Sequence, residues 1–292
     1  MPLETFSGII DQAYLLGTEH ITLSSNGETL LHPKIADFVS YCADRGFALT
    51  IFSNGSITPA VDKIIRLGKC KATFAINLSA INPEKFETVH GGNEITFYRT
   101  LKNIKKLCKF YDVIIKFIIM QETLCDLKDM VQLAGLLGVK HIVCRNMLVD
   151  STLGEKRKTF SRKLKNFLPV LKNANALAKK TGIQIDIDNL LLAYLQKAKK
   201  LKIRKCYSGW FNSMIDFDGP ICSCCSGRTK IGNINNSSFM DAYLSSKHLK
   251  FLLVGKQGID YHRRSWKKCQ LCHFPTLNLN TDAMISHNMF YG

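Results

Sequence analysis

Apolar runs of strand length alternate with amphipathic stretches of helix length through roughly residue 190, and this alternation constrains the fold most strongly. His20-Ile-Thr-Leu-Ser24, Ala48–Phe52, Ala72–Leu78, Val113–Met120, His141–Cys144 and Ile183–Ile187 read as strands. Val113–Met120 is apolar enough to predict a strand buried on both faces. Helices are predicted over 4–17 (Phe6, Ile9, Ile10, Ala13 and Leu16 on one face, Gly17 as the stop), after His32-Pro33 (Ile35, Phe38, Val39, Cys42), and over Val61–Leu67, Phe97–Cys108, Leu127–Leu137 and Phe160–Lys180. Short connections between alternating elements give right-handed βαβ units and a parallel sheet. The expected class is α/β, an incomplete (β/α)6 partial TIM-type barrel. In such folds the chemistry sits at the C-terminal strand ends. Those ends carry Ser25-Asn-Gly-Glu28, Ser53-Asn-Gly55, Asn77-Leu-Ser79, Gln121-Glu122 and Arg145-Asn146.

Beyond residue 200 the alternation stops and cysteines and glycines take over. Of 11 cysteines, Cys206, Cys222, Cys224, Cys225, Cys269 and Cys272 fall here. The expected domains are 1–200, the barrel, and 201–292, a small cysteine-rich domain. Thiolates are soft ligands, and four of them suit zinc or an iron–sulfur cluster. A structural zinc ribbon is the plain reading of a Cys₄ site with a Cys-x2-Cys half. Of the remaining cysteines, Cys42 and Cys108 fall on apolar helix faces and Cys70 ends a helix.

A hydrophobic content of 46% supports a real core and excludes disorder. No apolar run of about 18 residues is present, so no transmembrane helix is expected. No secretory signal is read either, which makes the cytoplasm the expected compartment. The net charge is +17, concentrated in Lys156-Arg-Lys158, Arg162-Lys-Leu-Lys165, Lys179-Lys180 and 197–205. Without interleaved aromatics these clusters read as solvated faces, and a nucleic-acid partner is not expected.

The strand ends resemble those of radical S-adenosylmethionine (SAM) enzymes. Leu23-Ser-Ser-Asn-Gly-Glu-Thr-Leu-Leu-His-Pro33 is similar to the family's Gly-Gly-Glu segment, which receives the methionyl amine of SAM. Gly27 and Glu28 match, while Asn26 stands for the first glycine and Thr29 for the proline. A glycine admits close backbone approach and a carboxylate accepts from an ammonium. Phe52-Ser-Asn-Gly55 resembles the family's Thr-Asn-Gly strand end, which brings in Ser53 and Asn54. Ile76-Asn-Leu-Ser-Ala80 resembles the next strand end, where polar side chains contact the ribose; Ser79 is the first candidate and Asn77 the second.

The C-terminal region resembles the SPASM/Twitch auxiliary-cluster domains. Trp210, Asp218-Gly219, Cys224-Cys225, Gly232-Asn-Ile234 and Cys269-x2-Cys272 match that pattern. The resemblance implies one auxiliary [4Fe–4S] cluster on Cys206, Cys224, Cys269 and Cys272, with Cys222 and Cys225 as alternatives. Neighbouring residues on a strand face opposite ways, which argues against Cys224 and Cys225 ligating together. Zinc remains the alternative metal.

The family's Cys-x3-Cys-x2-Cys motif, which holds the cluster that reduces SAM, does not occur in the chain. Residues 4–17 match the first helix after that loop, so a truncated longer protein and a relic that has lost SAM cleavage are the two expectations. In complete form the protein would cleave SAM reductively and abstract hydrogen from a peptide or small-molecule substrate, served by an electron-donor protein. The alternative is a non-catalytic iron–sulfur or zinc module docking an acidic partner or RNA. Whether the chain is itself an enzyme stays open, and no catalytic residue is singled out.

Overall fold

The computed structural model describes residues 1–68, 70–120, 122–146, 168–187, 205–224 and 229–257, with 278, 280, 281 and 284. The chain divides into two compact units: Thr18–Ile187, and Met1–Gly17 together with Asp188–Gly292.

The first helix, α1 (Leu3–Leu15), therefore does not open the barrel, as its place in the sequence suggests. Its Ala13 joins Ile221, Ile231, Phe239 and Ala242 in one apolar cluster, flanked by Ile9 and Leu16. Its Gln12 Oε1 accepts from the Met240 amide at 2.8 Å. Periodicity identifies an apolar stripe but not the surface that covers it.

The larger unit is a six-stranded parallel sheet in the order β1 (His20–Leu23), β2 (Ala48–Ser53), β3 (Ala72–Asn77), β4 (Asp112–Ile119), β5 (His141–Asn146) and β6 (Gln184–Asp186). The connecting helices are α2 (Ile35–Asp44), α3 (Thr58–Arg66), α4 (Pro83–His90), α5 (Glu94–Leu107), α6 (Leu127–Leu137) and α7 (Leu168–Thr181). The expected α/β architecture of a partial (β/α)6 barrel is present. Strand order equal to chain order, with right-handed crossovers, puts all the helices on one face. That face holds the core: Leu49, Ile51, Phe74, Ile76, Ile115 and Phe117 are all at most 1% exposed.

The other face is far less buried, and here β4 differs from expectation. Its burial alternates, with Val113, Ile115, Phe117 and Ile119 buried and Ile114, Lys116 and Ile118 half-buried. It is a strand with one core face and one inner face. Helix α4 was not expected as a helix. Asn82 caps it by accepting from the Lys85 amide at 2.8 Å, and Pro83 occupies its first turn. Helix α3 starts before the expected Val61, with Pro59 in its first turn. The predicted helix over Phe160–Lys180 is described from Leu168 onward.

In the smaller unit, α8 (Ser208–Phe211) leads into an antiparallel sheet of β7 (Met214–Ile215), β8 (Pro220–Cys222) and β9 (Lys230–Asn233), followed by α9 (Phe239–Tyr243) and α10 (Ser246–Gln257). Gly219 makes the β7–β8 turn at φ 104°, and a Cβ there would stand 2.6 Å from Asn233 Oδ1. Only glycine suits both the backbone and the space. Ile234 N–H then donates to the Gly219 carbonyl at 2.9 Å. No described helix is long and apolar enough to cross a membrane.

Candidate functional site

Glu28 is the centre of the first candidate site. Its Oε1 accepts from the Leu30 amide at 2.9 Å and from the Ser53 hydroxyl at 2.6 Å. Its Oε2 accepts from the Asn54 amide at 2.6 Å. The structure thus brings together Glu28, Ser53 and Asn54 from two adjacent strand ends. The Ser53-Asn54-Gly55 turn is itself braced. The Gly55 amide donates to Ser53 Oγ at 2.8 Å, Ser56 donates to Asn54 Oδ1 through its amide and its hydroxyl at 2.8 and 2.7 Å, and buried Asn103 donates to the Gly55 carbonyl at 2.8 Å. Gly55 sits at φ 75°.

A carboxylate offers about four acceptor positions, and these three donors leave one on Oε2. Nothing lies within 4 Å of where a Cβ on Gly27 would stand, so the loop beside Glu28 is open. An oriented carboxylate with a spare acceptor fits the ammonium of an amino acid such as SAM.

Ser79 and Asn77 differ in availability. Ser79 is 1% exposed, and its Oγ accepts from the Ile118 amide at 2.8 Å. Its own amide donates to His90 Nε2 at 2.9 Å. Asn77 is exposed, on the inner face at the end of β3. Of the further strand-end residues, Gln121 lies outside the described residues.

The inner face carries two cations: Arg145, one of the strand-end residues named from the sequence, and Lys116, which sequence reading did not single out. Lys116 Nζ stands over the Phe52 ring, 4.3 Å from its centroid. Burial, reinforced by Arg145, holds its ammonium pKa below the ordinary lysine value. Arg145 Nη1 pairs with Asp186 Oδ2 at 3.3 Å. The signal available in the sequence was a single lysine in an otherwise apolar strand.

The second candidate site lies in the smaller unit. Ser208 Oγ donates to the Ser223 carbonyl at 3.2 Å, tying the segment after Cys206 to the segment between Cys222 and Cys224. The Cys206 amide donates to the Gly255 carbonyl at 3.1 Å, and the Tyr207 amide to Asn278 Oδ1 at 2.7 Å. Cys206 and Cys224 are half-buried, whereas Cys222 is fully buried. Burial pushes the Cys222 thiol pKa up, more than Lys230 draws it down. Cys225, Cys269 and Cys272 lie outside the described residues, and among the described residues no three metal-ligating side chains converge.

Ser223 supplies the test of fit for a sulfur-rich group. Its amide donates to the Thr229 carbonyl and its carbonyl accepts from Ser208, but its buried hydroxyl has no partner among the described residues. A buried hydroxyl normally finds an acceptor. A thiolate or sulfide beside Cys224 would be one, so the residues present fit the cluster.

The comparisons agree with this division. Residues 206–273 match the SPASM family, described as an iron-sulfur cluster-binding domain. Three solved structures of SuiB from Streptococcus suis share the fold, each with a TM-score of 0.66. The first is 15% identical and aligns over 84% of this chain and 60% of SuiB. A second, bound to S-adenosylmethionine, is 14% identical over 87% of this chain and 61% of SuiB. The third, bound to the precursor peptide SuiA, is 15% identical over 86% of this chain and 60% of SuiB. This chain therefore spans about three fifths of SuiB's length. No curated protein matches it. In chain order, a six-stranded partial barrel with the fold seen in SuiB precedes a region that matches the SPASM iron-sulfur cluster-binding domain.

Proposed function

We propose that this chain binds SAM at the strand ends of its barrel and an auxiliary [4Fe–4S] cluster in its C-terminal domain, and that it acts on a peptide or small-molecule substrate. The observation that carries the reading is Glu28, a carboxylate held by three donors with one acceptor position left. That position suits the methionyl ammonium. The Gly27 backbone leaves room for its approach, and Asn77 offers an exposed amide for the ribose. Ser53 and Asn54 orient Glu28 and need not touch the ligand themselves. Preorganised donors and acceptors lower the cost of fixing a bound ligand.

Cys206, Cys224, Cys269 and Cys272 would hold the auxiliary cluster, with Cys222 kept in the core. The hydrogen-abstracting chemistry of the family would come from SAM on a separate reducing cluster, whose Cys-x3-Cys-x2-Cys motif does not occur in this sequence. In this chain the residues' share is to bind, orient and enclose. SuiB's structures with SAM and with a precursor peptide support the same division of labour. An electron-donor protein and a cytoplasmic setting belong to this proposal.

The test is equilibrium binding of S-adenosylhomocysteine to the anaerobically reconstituted chain and to Glu28→Ala, with iron and sulfide analysis alongside. Saturable binding lost in Glu28→Ala, with about four irons per chain, is expected. No binding by the wild type, or one zinc in place of iron, overturns the respective half of the proposal.

A further inference from the structure

The inner face of the sheet carries an ammonium that no carboxylate among the described residues faces. Lys116 projects from β4 beside Asn77, its register partner on β3. Its Nζ crosses β3, where Ala75 offers only a methyl group, to stand 4.3 Å from the Phe52 ring centroid on β2. On the other side, Arg145 already holds the nearby Asp186, at 3.3 Å. Among the described residues no carboxylate pairs with Lys116.

Desolvating an ammonium is costly unless an anion or several acceptors compensate it. The Phe52 ring is a weaker partner than a carboxylate. Arg145 adds repulsion, and burial and Arg145 together hold the lysine below its ordinary pKa. An arriving anion would relieve both effects.

We infer that Lys116 binds a side-chain carboxylate of the substrate, and that the substrate is a peptide carrying Glu or Asp. This deepens the proposed function and rests on its reading of the barrel as the reaction chamber. The excess of 40 basic over 23 acidic residues favours an acidic peptide during approach as well as in the site. The methionyl carboxylate of SAM offers the same chemistry, so the test has to separate the two.

Saturation-transfer NMR on the full chain makes the separation. The probes are acetyl-Gly-Glu-Gly-amide, acetyl-Gly-Gln-Gly-amide and S-adenosylhomocysteine, against wild type, Lys116→Met and Lys116→Arg, with a thermal melt on each to establish folding. The Glu peptide is expected to bind wild type at least tenfold better than the Gln peptide. Lys116→Met should abolish that preference and Lys116→Arg restore it, with S-adenosylhomocysteine bound equally by all three. A wild type without the preference, or a preference that survives in folded Lys116→Met, overturns the inference. So does Lys116→Met losing S-adenosylhomocysteine, which would assign the lysine to the cosubstrate. If wild type binds no S-adenosylhomocysteine yet shows the Lys116-dependent preference, the SAM reading fails and the carboxylate site stands.

Discussion

The Asn54 amide donates to Glu28 Oε2 at 2.6 Å, joining two strand ends that are 26 residues apart in the chain. The bond makes the turn after β2 part of the carboxylate's support, so the two segments stand or fall together. Glu28→Gln keeps the size of the side chain but places an NH₂ group among three donors. The loss of charge-assisted hydrogen bonds should lower stability by about 2 kcal/mol. S-adenosylhomocysteine binding should weaken at least about tenfold, or about 1.4 kcal/mol. Thermal melts and calorimetric titration check the two effects separately.

Gly55 makes the same turn possible. At φ 75° it lies in the left-handed region, and a Cβ would stand 3.1 Å from Ile76 Cγ2. Gly55→Ala should cost about 1–2 kcal/mol from the backbone alone. Because the Gly55 amide also donates to Ser53 Oγ, the strain should reach Glu28 as well. The expected outcome is a lower melting temperature together with weaker S-adenosylhomocysteine binding. Normal affinity in a destabilised variant would show that the turn does not support Glu28.

The fold was legible because each of the six strands is an apolar run with a glycine, proline or polar turn at its edge. What failed to read was orientation and partnership. The apolar residues of β4 concealed its inner face and hence Lys116, because a lysine flanked by isoleucine and phenylalanine reads as an interruption rather than a site. The stripe of α1 was visible but its partner cluster around Ile231 and Phe239 was not, since that depends on packing over 200 residues away. Asn82-Pro83 is a start signal for α4, an asparagine cap followed by proline in the first turn. At the site, Glu28, Ser53 and Asn54 were nameable through the resemblance. Two facts had no sequence signal at all: the Ser79 hydroxyl accepts the Ile118 amide, and Arg145 pairs with Asp186.

Cys222 and Cys224 should behave differently when removed. Cys222 lies at 0% accessibility beside core residue Ile221, whereas Cys224 is half-buried. Cys222→Ala should retain iron and lose about 1–2 kcal/mol of stability, as a small core truncation does. Cys224→Ala should fail to hold a full cluster. Iron and sulfide content after anaerobic reconstitution decides it, and the opposite pattern would make Cys222 the ligand.

Lys116 gives the chain a pH signature. Its folded-state pKa is lowered, so the unfolded chain binds this proton more readily than the folded one in the window between the two pKa values. Stability therefore rises with pH through that window, and below it the full penalty of the buried charge is present. Lys116→Met should raise the melting temperature of the ligand-free chain at neutral pH. The gain should shrink as pH climbs past the lowered value. Melts from pH 7 to pH 10 measure this, and a variant less stable at neutral pH would show that Lys116 is already compensated.

Ser223 makes a last prediction about the auxiliary cluster. Both its backbone groups are engaged, to Thr229 and Ser208, and its buried hydroxyl has no partner among the described residues. Leaving such a hydroxyl unsatisfied costs about 1–3 kcal/mol. A cluster sulfur beside Cys224 would accept from it. Hydrogen bonds to cluster sulfurs stabilise the more negative reduced state and raise the potential. Ser223→Ala should therefore bind a full complement of iron but reduce at a lower potential than wild type, while the metal-free variant should be no less stable than wild type because an unsatisfied donor has gone. Redox titration followed by EPR reads the first effect and a thermal melt the second. An unchanged potential with full iron would place the hydroxyl away from the cluster.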